Sequence, residues 1–290
     1  AKMKSINIFC FGFGQVAKSF IKKLIIENYN ITLTTTSRNK SSKENFKSIN
    51  YNNYLFDGYK FDNNLLVELK KADHILVSIP PEKQEDLVVK NFSKFIEDAK
   101  VKWITYLSST SVYGDHKGEW VNENSKTKPT SFNGISRLKA ENSWLSLQMN
   151  KNLSVQIFRL SGIYSNEKNI LVRLKLGTAK LINKKDHYFS RIHVQDIANI
   201  LFKSLSKFKS GEIYNLADDK PSSSKDITLY GAKLLNIKNL KKIEVNEIES
   251  EMLKNFYKES KKVSNQKIKN YFSYNFKFPT YVEGLNYIRD

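Results

Sequence analysis

The 290-residue sequence holds one cysteine, four histidines, five prolines and eleven glycines, and only six of its 48 basic residues are arginine. Cys10 alone makes neither an internal disulfide nor a thiolate metal cluster, and four histidines are too few for a histidine-rich metal site. The scarcity of glycine and proline excludes a collagenous or low-complexity chain. Long hydrophobic runs are also missing: residues 6–13 form a stretch about half as long as the roughly twenty residues a bilayer span needs. No charged-then-apolar leader with a small-residue cleavage site opens the sequence, so a cytoplasmic location without a membrane partner is expected. What remains, 40% hydrophobic residues, is enough to build the core of one large or two modest domains.

The formal charge is +19. Lysine accounts for 42 of the basic residues, scattered through an Asn- and Ile-rich sequence, which reads as a solvated surface. A surface that grips phosphates favours the bidentate fork of arginine, so no nucleic-acid partner is expected. The few arginines, Arg38, Arg137, Arg159, Arg173, Arg191 and Arg289, are therefore the informative cations.

Residues 5–11 form an almost unbroken apolar run, as in a strand covered on both faces of a parallel sheet. A glycine turn follows, then helical spacing of Val16, Phe20, Leu24 and Ile25 as far as Asn28. Further strands are read at 31–36, 54–56, 74–78 and 102–107, with a helix at 65–71 and another beginning after Pro80-Pro81, where proline suits a helix start. Beyond a polar loop at 115–133 come a helix from Gly134 to Met149, strands at 154–160, 192–194 and 213–216, and a lysine-rich, less regular tail from Lys220. The alternation predicts an α/β fold, a Rossmann-type doubly wound parallel sheet. Residues 1–160 form the expected dinucleotide-binding domain; residues 161–290 form a smaller substrate-binding cap, with segments near 190–217 returning to the core.

Gly12-Phe-Gly14-Gln15-Val16-Ala17 is a G-x-G-x-x-A fingerprint between the first strand and the first helix. The first glycine permits the tight turn, the second admits a pyrophosphate, and the helix N-terminus binds the anion. At the end of the second strand, where an NAD site carries an acid for the ribose 2′-hydroxyl, stand Ser37 and Arg38. Both can donate to a 2′-phosphate, which favours NADP over NAD as cofactor. Ser78, ending the fourth strand, and Ser108, ending the fifth, complete the cofactor-binding candidates.

The run Ser108-Ser109-Thr110-Ser111-Val112-Tyr113-Gly114 after the fifth strand of such a sheet resembles the extended short-chain dehydrogenase/reductase superfamily, home of nucleotide-sugar epimerases and dehydratases. Phe158-Arg-Leu-Ser-Gly-Ile-Tyr164, Arg191-Ile-His193-Val-Gln-Asp196-Ile-Ala198 and Ile213-Tyr-Asn-Leu-Ala217 are similar to its later segments. The resemblance implies that Ser109 is the catalytic serine, hydrogen-bonding a substrate carbonyl or hydroxyl. The dehydratase acid pair is replaced by Thr110 and Ser111, which removes that branch's proton-transfer groups. The superfamily's Tyr-x-x-x-Lys pair falls on Asn133 and Arg137. Asparagine cannot shuttle a proton, while Arg137 can contact the cofactor ribose or polarise a substrate oxygen. With Glu141 and Trp144, this segment resembles the atypical subgroup of NAD-dependent epimerase/dehydratase-like proteins.

Tyr113 and Tyr164 are either displaced phenols or packed core aromatics. His193 and Asp196 read as a structural histidine and a helix cap, and Arg191 as a contact for a substrate phosphate or carboxylate. Substrate candidates are thus Thr110, Tyr113, Tyr164 and Arg191, with Ser109 and Arg137 as the catalytic pair and no metal. The expected function is an NAD(P)-dependent oxidoreductase or epimerase acting on a hydroxylated or carbonyl small molecule, including a nucleotide sugar. A non-catalytic NADP-binding sensor or interaction module is the alternative, since fold alone does not establish activity. By resemblance, a homodimer would form through the helices at 135–144 and 81–99.

Overall fold

In β1 (Lys4–Phe11), Ile6, Ile8, Phe9, Cys10 and Phe11 are all buried, as a central strand requires. The computed structural model describes residues 3–290. After β1, α1 (Gln15–Ile26) buries Val16, Ala17, Phe20, Ile21 and Leu24, and leaves Lys18 and Lys22 in solvent. Asn28, with φ of 63°, turns the chain into β2 (Tyr29–Ser37).

The next elements depart from the sequence reading. Where one short strand at 54–56 was expected, β3 (Ser42–Phe46) and β4 (Ile49–Leu55) form an antiparallel hairpin. Its two turn residues, Lys47 and Ser48, have φ of 50° and 69°, as a type I′ turn demands. Neither is glycine, asparagine or aspartate, and β3 is almost wholly exposed, so neither turn chemistry nor hydrophobic alternation announces the hairpin. Next come α2 (Leu65–Lys71), β5 (His74–Val77), α3 (Leu87–Ala99) and β6 (Trp103–Ser109). The prolines at 80 and 81 do not start α3; it begins at Leu87, where the Asp86 carboxylate accepts the Val89 N–H at 2.8 Å.

The rest of the chain supplies β7 (Trp120–Val121), α4 (Phe132–Lys151), β8 (Val155–Leu160), β9 (Gly162–Tyr164), α5 (Ile170–Lys175), β10 (Leu181–Ile182) and β11 (Arg191–His193). It continues with α6 (Val194–Ser204), β12 (Ile213–Leu216), α7 (Ser224–Leu234), β13 (Lys242–Ile243), α8 (Glu251–Lys258), β14 (Lys262–Val263), α9 (Gln266–Phe272) and α10 (Tyr281–Arg289). The tail is thus regular, not loose. Its helices are short, and Ser223, Ser250 and Thr280 cap α7, α8 and α10, the last in a capping box with Glu283.

Eight strands form one sheet in the order β12-β8-β6-β5-β1-β2-β4-β3. The pairs β1 with β2, β1 with β5, β2 with β4 and β5 with β6 are parallel. The order reverses direction between β1 and β5, and that switch point is where open α/β sheets bind ligands. Among the described residues no helix is long and apolar enough to cross a membrane.

The chain divides into two compact units interleaved in sequence: Ala1–Ser108, Ile135–Phe158 and Ile197–Tyr214 in the first, Ser109–Gly134, Arg159–Asp196 and Asn215–Asp290 in the second. In the first unit, Phe92 of α3 meets Phe11 at 5.1 Å, Phe56 at 4.9 Å and Phe61 at 4.6 Å between ring centroids. The second unit packs Ile170, Leu171 and Leu174 of α5 with Ile227 of α7 and Tyr281 and Leu285 of α10. Asp196 ties this unit together in a way the sequence reading did not foresee. Instead of capping α6, its carboxylate accepts from the Tyr274 hydroxyl and from the N–H groups of Lys277 (2.8 Å) and Phe278 (3.0 Å).

Because Phe92 is fully buried among three other rings, Phe92→Ala should cost about 3–5 kcal/mol. A urea midpoint within error of wild type would refute this packing.

Candidate functional site

The first unit contains the fingerprint turn at the switch point. Gly12 has φ of +89°, and a Cβ there would lie 2.8 Å from Ser78 Oγ, so both conformation and space demand glycine. Its N–H donates to Thr36 Oγ1 at 3.2 Å. A Cβ on Gly14 would meet nothing within 4 Å, leaving an open approach to the start of α1. No side chain caps that helix and no acid stands in its first turn, so the N–H groups after Gly14 and the positive end of the helix dipole are left for an anion. These features fit the pyrophosphate of a dinucleotide. Gln15 is exposed in this first turn, whereas Val16 packs inward. The hairpin missed in the sequence supports the turn: Phe13 meets Phe46 at 5.3 Å and Tyr51 at 5.6 Å.

At the end of β2, Ser37 Oγ accepts from Asn53 Nδ2 at 2.8 Å and from the Asn39 N–H at 3.2 Å. Both acceptor positions are filled, so the hydroxyl hydrogen is free to donate outward. Arg38 is exposed and pairs with Glu82. Ser78 gives its hydroxyl to the Phe11 carbonyl at 3.0 Å, and Ser108 gives its own to Glu141; the hydrogens of these two serines are thus committed within the protein.

Arg137 lies on the buried stripe of α4 with Ala140, Glu141 and Trp144. Its NH1 donates to Tyr106 Oη at 3.2 Å and to the Leu107 carbonyl at 3.0 Å, which fixes the guanidinium against β6. Burial pushes the nearby Asp86 carboxyl up to about 6, against the lowering effects of the hydrogen bond from the Val89 N–H and the charge of Arg137. Asn133, one turn earlier, is exposed.

In the second unit, Ser109 Oγ accepts the Ser111 N–H at 3.1 Å and caps the 3-10 turn 110–113. Ser109 and Thr110 line a cavity of about 220 Å³. Tyr113 is a packed aromatic: it has no exposure, its hydroxyl donates to Asn215 Oδ1 at 2.6 Å and accepts from Arg159 at 3.1 Å, and burial pushes its pKa up to about 12. His193 is the structural histidine expected, with Nδ1 accepting the Gln195 N–H and burial holding its pKa down at about 4.

Tyr164 and Arg191 come together in a second cavity of about 360 Å³, also lined by Lys168, Arg173, Phe189 and Tyr281. Its lining contains three cations and no acid. Both terminal nitrogens of Arg191 are buried without a hydrogen-bond partner, while its carbon Cζ lies 3.9 Å from the Phe189 ring centroid. Tyr164 Oη is likewise unpartnered, and a Cβ on Gly284 would fall 1.9 Å from it, which reserves that position for glycine. Beside this cavity sits Asp218, which the sequence reading missed; its N–H donates to the Arg191 carbonyl at 2.8 Å. Burial, outweighing the attraction of Arg191, pushes the Asp218 carboxyl up to about 8. No periodicity or motif marks an aspartate two residues beyond β12.

Strand order, glycine turn and uncapped helix define a Rossmann-type dinucleotide-binding fold. The NAD dependent epimerase/dehydratase family matches residues 87–217. A conserved protein of unknown function from Silicibacter pomeroyi DSS is 30% identical, with 98% of each chain covered and a TM-score of 0.86. A dTDP-glucose 4,6-dehydratase from Streptomyces venezuelae, solved with NAD, is 16% identical over 98% of this chain and 96% of its own, with a TM-score of 0.77. A UDP-glucuronic acid 4-epimerase from Bacillus cereus, in complex with UDP-glucuronic acid and NAD, is 16% identical over 98% of each chain, with a TM-score of 0.75. These last two show a shared fold. No curated protein matches the sequence. The chain belongs to the NAD-dependent epimerase/dehydratase family, built on the extended short-chain dehydrogenase/reductase fold.

The raised Asp218 group makes a signed prediction. The folded state holds this proton up to about pH 8 against an ordinary value of 3.8, so its stabilising contribution is complete below the latter and is lost as pH rises toward the former. Asp218→Asn keeps the shape and removes the charge. Its urea midpoint should gain on that of wild type between about pH 5 and pH 8; parallel curves would refute the assignment.

Proposed function

We propose that this protein is an NADP(H)-dependent oxidoreductase or epimerase that acts on a hydroxylated or carbonyl substrate. The observation that carries the reading is the Gly12 turn against Ser78, opening onto an uncapped helix in a chain of this family. When bound, the nicotinamide supplies hydride transfer. The protein's own residues must bind, orient and manage one proton. Gly12, Gly14, Gln15 and Val16 offer backbone to the pyrophosphate, with Ser78 shaping the turn and Ser108 anchoring the end of β6 through Glu141.

Ser37 and Arg38 hold the 2′-phosphate of NADP; the free hydroxyl hydrogen of Ser37 and the absence of an acid at these positions support this choice over NAD. Arg137, tethered to Tyr106 and Leu107, contacts the ribose or polarises a substrate oxygen. The second unit takes the substrate: Ser109 donates to its reacting oxygen, beside Thr110, and the unpaired guanidinium of Arg191 receives a phosphate or carboxylate, with Tyr164 close by. The UDP-glucuronic acid bound by the epimerase of like fold supports a nucleotide sugar as that substrate.

One observation favours a second reading. Asn133 presents an exposed amide where the superfamily has its proton-exchanging tyrosine, which suits a cofactor-binding sensor without turnover.

Fluorescence titration tests the cofactor. Arg38→Ala should weaken NADPH about ten- to a hundredfold and leave NADH unchanged. Equal losses for both cofactors would overturn the 2′-phosphate assignment. Absorbance of reduced cofactor with a panel of nucleotide sugars and carbonyl compounds tests turnover, which Ser109→Ala should lower by about a hundredfold or more. A wild-type protein that binds NADPH and turns over nothing would establish the sensor reading instead.

A further inference from the structure

The cavity at Ser109 contains a feature that no motif covers. Besides Ser109, Thr110 and Ser111, it is lined by Glu259 and Lys261, which flank Ser260 in the tail of the second unit. Their side chains are only 12% and 10% exposed. Lys261 Nζ donates to the Gly114 carbonyl at 3.2 Å and stands 3.4 Å from Glu259 Oε2. The other carboxylate oxygen of Glu259 is buried without a hydrogen-bond partner, and so is Ser111 Oγ. Ser109 Oγ accepts the Ser111 N–H, and its own hydrogen is uncommitted.

An unpaired buried polar atom is costly, so a cavity whose lining residues carry two of them is built for something that completes them. A purely structural tether would explain the bond from Lys261 to Gly114. It would not explain a carboxylate held beside it with one oxygen unused.

We propose that Lys261 and Glu259 are the proton-transfer pair of the Ser109 cavity, in place of the missing tyrosine and lysine. This rests on the oxidoreductase or epimerase reading above. In the oxidative direction the substrate O–H bond breaks and its proton passes to the neutral amine of Lys261, then through Glu259 to solvent. The adjacent C–H bond would break with its electron pair, which an oxidised nicotinamide, when bound, would accept as hydride, and the C=O bond would form. In the reductive direction the Lys261 ammonium returns the proton to the carbonyl oxygen, which Ser109 also holds.

The electrostatics permit this cycle. Burial lowers the pKa of Lys261 from its ordinary lysine value, against the raising effects of Glu259 and Asp115. Tyr188 lines the same cavity and its carbonyl accepts the Lys261 N–H at 3.1 Å; also close are Lys184, which lies near Asp115, and His187, whose own pKa is lowered by burial and by the charges of Lys184 and Lys261.

Two measurements test the pair. Competitive acetylation with isotopically labelled acetic anhydride, read by peptide mass spectrometry from pH 6 to 11, reports the titration midpoint of each lysine, the exposed lysines serving as internal references. Lys261 should show a midpoint below theirs, and so a larger amine fraction at neutral pH, and Glu259→Gln should move its midpoint further down. A midpoint equal to that of the exposed lysines overturns the pair, whatever the cofactor titrations give. In turnover, Lys261→Met should lower kcat about a hundredfold or more, with KM and NADPH affinity within threefold of wild type and the acid limb of the pH profile gone. Lys261→Arg keeps the charge and a donor for Gly114 yet cannot release a proton, so it should be as impaired as Lys261→Met; an active arginine variant overturns the proposal. Failure of the wild type to bind either dinucleotide would sink the functional reading and leave the acetylation result to decide the pair alone.

Discussion

The close approach of Gly12 to Ser78 is the constraint on which the first unit is organised. It exists because β1 and β5 are parallel neighbours on either side of the sheet's reversal, so that their carboxyl ends must diverge around whatever occupies the crevice. The turn has room for no Cβ at position 12, and the Ser78 hydroxyl closes it by bonding to Phe11. The start of α1, the free face of Ser37 and the tethered Arg137 all take their positions from strands and helices of the same unit. Buried aromatic packing around Phe92 stiffens that frame from below.

A second theme is the balance between burial and charge. Asp86, Asp218 and Lys261 each lie near an opposite charge, yet in each case desolvation shifts the pKa further than the partner shifts it back. Groups held in this way sit closer to neutrality than their free counterparts, which is the condition for exchanging protons near physiological pH. Arg191 differs: its pKa falls only to about 10, so it stays cationic in a cavity with no acid in its lining. Arg191 thus stays charged where it is buried, whereas Asp86, Asp218 and Lys261 are shifted toward neutrality.

Most of the main sheet was legible in the sequence because its strands are continuous apolar runs and its helices have clean 3.6-residue stripes. The glycine fingerprint and the hydroxyl run after β6 were legible for a similar reason: local backbone geometry dictates residue type there. The β3–β4 hairpin escaped because Ser42–Phe46 is a solvated edge strand and its turn uses lysine and serine in left-handed conformations. The start of α3 was misplaced because Pro80-Pro81 is a generic signal, whereas Asp86 caps through a specific contact. Asp218, Glu259 and Lys261 could not have been singled out. Their significance comes from burial and from neighbours distant in sequence, and in a chain with 42 lysines one more lysine carries no mark.

The interleaving of the two units has a consequence for how the chain acquires its structure. Residues as late as Tyr214 belong to the first unit, and the second begins with a segment as early as Ser109. A nascent chain released only to residue 160 therefore lacks β12 and α6, and its sheet ends prematurely at β8 with an unpaired edge. Long-range pairing of this kind is slow to form and exposes apolar surface while it waits. Neither unit can be excised as one contiguous fragment, so dissecting the molecule calls for point substitutions within the intact chain.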